Sequence, residues 1–239
     1  MAILHREVEL GEERYREALA LFDELGDEYN AVGLRSRFVV HAGSRADPDE
    51  VRRLVAEVRA LNETVGNPVV EPQMLSALGD LAVREDDWDG ARDLYVRSVE
   101  VAREHGFSLW ELWQLTSLME VDLERKAPDD AERTGRDALV LARRLRDREF
   151  TLYVLAGMAR AALELGAVER AGILWGALSE EMRENPLGRL APHLHELAAP
   201  LRECSIADFL AVVEDGRVRT IEDAVALALG EDAPAQTVP

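Results

Sequence analysis

The chain has 239 residues, 47% of them hydrophobic but only 5% aromatic, and a formal net charge of −19. That length allows one elongated domain or two compact ones, and apolar content carried mostly by Ala and Leu favours helix over sheet. The acidic balance argues against direct nucleic-acid binding through a phosphate-facing surface, no apolar run approaches the roughly 18 residues of a membrane span, and the single Cys204 excludes an internal disulfide framework.

The opening stretch, "MAILHREVELGEERYREAL", carries charges too early for an export signal, so a cytoplasmic location is expected. Residues 9 to 25 form the first predicted helix, with Tyr15, Ala18, Leu19 and Phe22 on its apolar face and Gly26 as its stop. Breakers follow at "AGSRADPDE", "REDDWDG" and "ERKAPDD", where Asp47 and Asp87 suit N-caps and Pro48 and Pro128 suit first-turn positions. Between them, "GARDLYVRSVEVAREHG" (90 to 106) places Ala91, Leu94, Tyr95, Ser98, Val101 and Ala102 on one helical face, ended by Gly106.

That helix recurs every forty residues. One column reads Gly11, Val51, Ala91, Ala131, Ala171, the next Tyr15, Val55, Tyr95, Gly135, Trp175, and a third Ala18, Val58, Ser98, Ala138, Leu178. The stop column reads Gly26, Gly66, Gly106, Arg146, Pro186. A preceding helix has Arg35, Leu75, Leu115, Leu155 and Phe38, Leu78, Leu118, Met158 in its core columns, followed by Val39, Gly79, Met119, Ala159. No insertion or deletion interrupts the register from 11 to 186.

Each unit is therefore a helical hairpin that cannot bury its own apolar face, so neighbours must stack. An all-α fold is expected, a right-handed solenoid of stacked antiparallel helical hairpins. A coiled coil would need an unbroken seven-residue repeat, and a compact bundle would not need a fixed register. The register divides the chain into repeats over 1–186 (a half hairpin plus four hairpins), C-terminal capping helices over 187–230 and a disordered tail over 231–239. It makes residues 9 to 25 the second helix of a hairpin whose first helix would begin before residue 1, with residues 1 to 8 supplying only its last turns. Ile3, Leu4, Val8 and Leu10 are not the polar cap of a solenoid end, so the chain is expected to be cut from a longer protein and to self-associate through this helix.

The large-small pair Leu78-Gly79, followed by Ala91, Tyr95 and Ser98, resembles the tetratricopeptide repeat in a longer, forty-residue variety. "ERAGILWGALSEEMRENP" (169 to 186), "LHELAAPLRE" and "DGRVRTIEDAVALAL" (215 to 229) resemble the end of the repeat region in LuxR-type and related ATPase-linked regulators and cyclases of GC-rich bacteria. The two resemblances cover roughly residues 9 to 230. In LuxR-type members a DNA-binding helix-turn-helix would follow; only "GEDAPAQTVP" follows here, so no DNA-binding role is implied for this chain.

Catalytic and metal motifs are sparse. Glu85, Asp87 and Asp89 before Gly90 copy part of a calcium loop, but the twelfth position is Val96, and an interhelix turn explains them better. His193 and His195 fall on different helix faces, and His5, His41 and His105 have no partner at ligand spacing. The chain has no GxxxxGK[ST], GxGxxG or GxSxG, so no cofactor or metal is expected. Cys204 reads as a buried thiol of the terminal helices.

The remaining candidate is a stripe beside the core columns of the first helices: Gln73, Ser76, Asp80 and Arg84; then Trp113, Thr116, Glu120 and Glu124; then Tyr153, Ala156, Arg160 and Glu164. Trp113 and Tyr153 are its aromatic anchors. The expected function is non-catalytic: a module that binds a protein or peptide, or another domain of the same polypeptide, within a multidomain bacterial transcriptional or signalling regulator, with neither nucleic acid nor membrane as partner. The alternatives are a small-ligand sensor and an accessory region of a cyclase or STAND-type ATPase with its chemistry elsewhere.

Overall fold

The computed structural model describes residues 2–186, 188 and 190–231, with side chains omitted for residues 2–9 and 12. The described residues form helices and connecting turns, with no strand. In chain order the helices are α1 (Ala2–Leu25), α2 (Glu28–Gly43), α3 (Pro48–Val65), α4 (Val70–Arg84), α5 (Trp88–Glu104), α6 (Ser108–Glu124), α7 (Pro128–Leu145), α8 (Arg148–Glu164), α9 (Val168–Glu184), α10 (Ala191–Leu197), α11 (Ala199–Arg202), α12 (Ala207–Gly216) and α13 (Ile221–Leu229).

The forty-residue register survives in the backbone: α3, α5, α7 and α9 start at residues 48, 88, 128 and 168. Asp47 and Asp87 cap α3 and α5, accepting from the backbone N–H of Asp49 and Gly90 at 3.0 Å each. Pro48 and Pro128 open α3 and α7 at positions whose N–H has no partner within the helix.

The helix ends follow a stricter rule. Within the repeats (Gly230, off this register, ends α13), left-handed residues stand at Gly26, Gly66, Asp86, Gly106, Lys126, Arg146 and Gly166, all multiples of twenty apart. At six of them the next residue's N–H returns to the carbonyl five residues back, from Asp27 to Phe22 (2.9 Å), Asp87 to Ala82 (2.9 Å), Phe107 to Ala102 (2.8 Å), Ala127 to Asp122 (2.9 Å), Asp147 to Ala142 (3.0 Å) and Ala167 to Ala162 (2.9 Å). These are Schellman closures, which satisfy the last carbonyls of a helix. At Gly66 the Asn62 side chain accepts from the Asn67 N–H at 2.8 Å instead. α2 has no left-handed terminator; the Arg84 guanidinium donates to the Gly43 and Ala46 carbonyls at 3.0 and 2.7 Å.

The chain divides into two compact units, with the boundary between Phe107 and Ser108. In the first, α2 pairs with α3 and α4 with α5, and the hairpins meet where α2 and α3 both pack on α4. Val32, Val39, Val51, Val55, Val58, Val70, Met74, Ala77 and Leu81 form their common core. Gly79 lies under the Tyr95 ring, where a Cβ would come within 2.5 Å of an aromatic carbon. α1 packs on α2, with Tyr15 stacked on Phe38 at 4.6 Å between centroids.

α1 corrects one expectation: residues 2 to 8 are not the end of an earlier helix but the first turns of α1 itself. No breaker separates them from residue 9, and Gly11 inside a helix costs only about 1 kcal/mol. The side chains of Ile3, Leu4 and Val8 lie outside the described residues. Tyr15, Ala18, Leu19 and Phe22 are half-buried, while Leu10, Leu21 and Leu25 are exposed.

In the second unit α6 pairs with α7 and α8 with α9, and α6 and α7 both pack on α8. The column positions Ala131, Ala138, Leu155, Met158, Ala171 and Leu178 are fully buried. α12 then packs closely on α9 through Gly172, Gly176 and Gly216. A Cβ on Gly176 would meet the Val213 carbonyl at 2.3 Å, and one on Gly216 the Ile173 carbonyl at 2.5 Å. In α7 the corresponding positions carry Glu132 and Arg136, so the exchange to glycine opens α9 to a further helix. α13 closes this end through a Thr220–Asp223 capping box. Arg143 holds Glu231, the first residue of the expected tail, in two hydrogen bonds of 2.8 and 3.0 Å, and the rest of that tail, 232–239, lies outside the described residues. Cys204 is half-buried in the link between α11 and α12, not buried within a helix as expected.

Candidate functional site: the stripe on the first helices

Column by column, the stripe reads Gln73, Trp113, Tyr153; Ser76, Thr116, Ala156; Asp80, Glu120, Arg160; and Arg84, Glu124, Glu164; the column one turn before it, outside the expected stripe, holds Val69, Leu109 and Glu149. The structure separates these positions into packed and open ones.

In the first unit most of the stripe is internal. Gln73 and Ser76 on α4 are buried, and Gln73 hydrogen-bonds the buried Ser36 side chain on α2. Asp80 accepts the Tyr95 hydroxyl proton at 2.6 Å, tying α4 to α5. Burial pushes the Asp80 carboxyl up to about 6, against the opposing pull of that hydrogen bond. Arg84 is committed to the Gly43 carbonyl of α2 and the Ala46 carbonyl beyond it. Gln73 and Arg84 join one hairpin to the next, and Asp80 joins the two helices of its own.

In the second unit Thr116 is buried, and its hydroxyl donates to the Trp113 carbonyl at 2.6 Å. Arg160 on α8 is also buried and pairs with Glu164 at 3.0 Å and with Glu124 on α6 at 2.9 Å. A guanidinium held between two carboxylates is compensated where it sits and does not wait for a ligand. Tyr153 is only 3% exposed. Its burial, together with a hydrogen bond to Glu120 and the nearby Glu196 carboxylate of α10, raises the phenol far above its ordinary range. Tyr153 is thus a packing residue at the junction of α6, α8 and α10, not an exposed anchor.

Trp113 is different. It is 38% exposed and meets Phe150 edge-on at 5.9 Å, and Leu109, one turn before it, is 56% exposed. Together they place an apolar pair on the outer surface of α6. Leu109 escapes a reading based on aromatic anchors; its forty-residue column, shared with Glu149, marks it.

On α8 the equivalent end of the stripe is covered. α10 and α11 pack on α8, burying Leu190, Leu194, Leu197 and Leu201. Glu149 accepts from the backbone N–H of Gly188 at 3.0 Å and of Leu190 at 3.3 Å. The leucine spacing is visible in the sequence, but its destination on α8 follows only from the fold.

The acidic turn at 85–90 is built for local structure. Asp87 caps α5, and Glu85 forms two hydrogen bonds with Arg52 at 2.6 and 2.8 Å. His193 and His195 are exposed, and His105 contacts the Val101 carbonyl through Nδ1 at 3.0 Å. Among the described residues no three His, Cys, Asp or Glu side chains converge on a point that would hold a metal ion, and no helix is long and apolar enough to cross a membrane. Shallow clefts lie beside α12, one of about 400 Å³ lined by Glu169, Ile173, Val212, Asp215, Val218 and Arg219. No protein-family model matches the chain, and no curated protein shows significant similarity to it.

Proposed function

We propose that the chain is a non-catalytic helical-repeat module that captures a protein segment on the stripe of its first helices. In this reading the hairpins are tetratricopeptide-like repeats forming a right-handed solenoid, and the module serves a multidomain bacterial transcriptional or signalling regulator in the cytoplasm. Its partner is a peptide, a helix or another domain of the same polypeptide.

The observation that carries the reading is the exposed pair Leu109 and Trp113 on α6. Aromatic side chains beside an aliphatic neighbour are the usual anchors of helix capture, because they remove much apolar area from water at little conformational cost. Arg160, Glu124, Glu164, Tyr153 and Glu120 pair among themselves, and Leu109 and Trp113 are the exposed apolar pair beside them. The test is a helical-peptide display library selected against the wild-type chain and counter-screened against Leu109→Ser/Trp113→Ala. Selected peptides are expected to lose at least tenfold in affinity on the double variant, about 1.4 kcal/mol. Selected peptides that bind both chains equally would reject the site.

A further inference from the structure

Residues 190–202 form a strap with one apolar edge. Leu190, Leu194, Leu197 and Leu201 recur at the spacing of one helical face and are all buried, while His193, His195 and Arg202 face solvent. The strap breaks at Ala198 into the two short helices α10 and α11. Its start is held by Glu149, and its middle lies near Tyr153, to which Glu196 contributes its charge. Forty residues before Glu149 and Tyr153, the same two positions of α6 are the exposed Leu109 and Trp113. The same helix face is therefore packed under α10 and α11 on α8 and carries a partly exposed apolar pair on α6.

Resting on the reading of the stripe as the partner surface, we infer that the stripe of α6 and α8 docks a leucine-edged amphipathic helix, and that residues 190–202 are its displaceable occupant in the same chain. The strap shows which chemistry α8 accepts: leucines at positions i, i+4, i+7 and i+11 with polar residues on the outer side. It covers α8 as two short pieces, while Leu109 and Trp113 on α6 remain 56% and 38% exposed. A continuous partner helix would cover both rows and remove more apolar area from water than the strap does, which offsets the release of the strap. The strap then sets a threshold: a partner with a shorter or weaker leucine edge does not displace it.

Two measurements on the full chain decide this. In native-state hydrogen exchange the amides of 190–202 are expected to exchange at least tenfold faster than those of Leu152–Ala162 on α8, reporting local release. Equal protection would make the strap part of the core and overturn the inference. In the second, a labelled peptide of residues 190–203 is titrated against the wild-type chain and against Leu194→Asp/Leu197→Asp. At least tenfold tighter binding to the variant is expected, because its own strap no longer competes; equal binding, or none to a folded variant, would overturn the inference. If the variant fails to fold, the exchange experiment on the wild type decides alone. Library peptides that depend on Leu109 and Trp113 while the strap exchanges as slowly as α8 would reject the strap and keep the binding site.

Discussion

Lys126 and Arg146 occupy left-handed backbone, at φ 58° and 54°, in columns where other repeats use glycine. A non-glycine residue there costs roughly 1–2 kcal/mol, partly offset by the extra freedom that glycine gives the unfolded chain. Lys126→Gly and Arg146→Gly are each expected to stabilise the chain by about 0.5–1 kcal/mol in urea unfolding. A loss at both would show that their side chains do more than tolerate the turn. Asp80 carries a different burden. Its carboxyl titrates near 6 in the fold and near 4 in the unfolded chain, so between those values the folded state binds more protons. Its contribution to stability therefore falls as pH rises through that window and stays lower above it. Asp80→Asn keeps an oxygen to accept the Tyr95 hydroxyl and removes the buried charge. It is expected to gain about 1–3 kcal/mol over wild type at pH 7.5, with the gain shrinking towards pH 4. A variant equally destabilised at both values would contradict this account.

Helices α9 and α12 approach closely because Gly172, Gly176 and Gly216 leave no side chain between them. Gly176→Ala drives a methyl into the Val213 carbonyl, and a cost of about 1–3 kcal/mol is expected from the forced separation. An unchanged unfolding midpoint would mean that the two helices do not pack this closely in solution. The hairpins themselves could be read in advance, since Asp47, Asp87, Pro48, Pro128 and the Gly26, Gly66 and Gly106 stops act through local backbone chemistry. Of the non-glycine terminators, Arg146 stood in the stop column, but Asp86 and Lys126 could not be read, because nothing in them as residue types announces positive φ; only the column shared with Gly166 does. The glycine contact of α9 was equally hidden, because a glycine pair within a helix has meaning only once a partner helix is known. For α1, the register implied a turn before residue 9 although no residue there supplies one, and the backbone follows the local chemistry.

Forty-residue periodicity identifies which helix face each residue shares, and it placed the candidate stripe on the first helices. It could not say which stripe residues are covered. Tyr153 and Trp113 hold the same repeat position, yet α10 and α11 cover one and not the other, through contacts between segments far apart in the chain. A binding role for this stripe therefore turns on the contrast between those two residues. Thermal unfolding of Trp113→Ala and Tyr153→Ala, measured side by side, tests it most directly. Tyr153→Ala is expected to cost about 3–5 kcal/mol as the loss of a core aromatic, while Trp113→Ala costs no more than about 1.5 kcal/mol, the scale of its edge-on contact with Phe150. At roughly 2–4 °C per kcal/mol for a chain of this size, the two melting temperatures should differ clearly. Equal, large losses for both would make Trp113 a packing residue and remove the open face on which the proposed function stands.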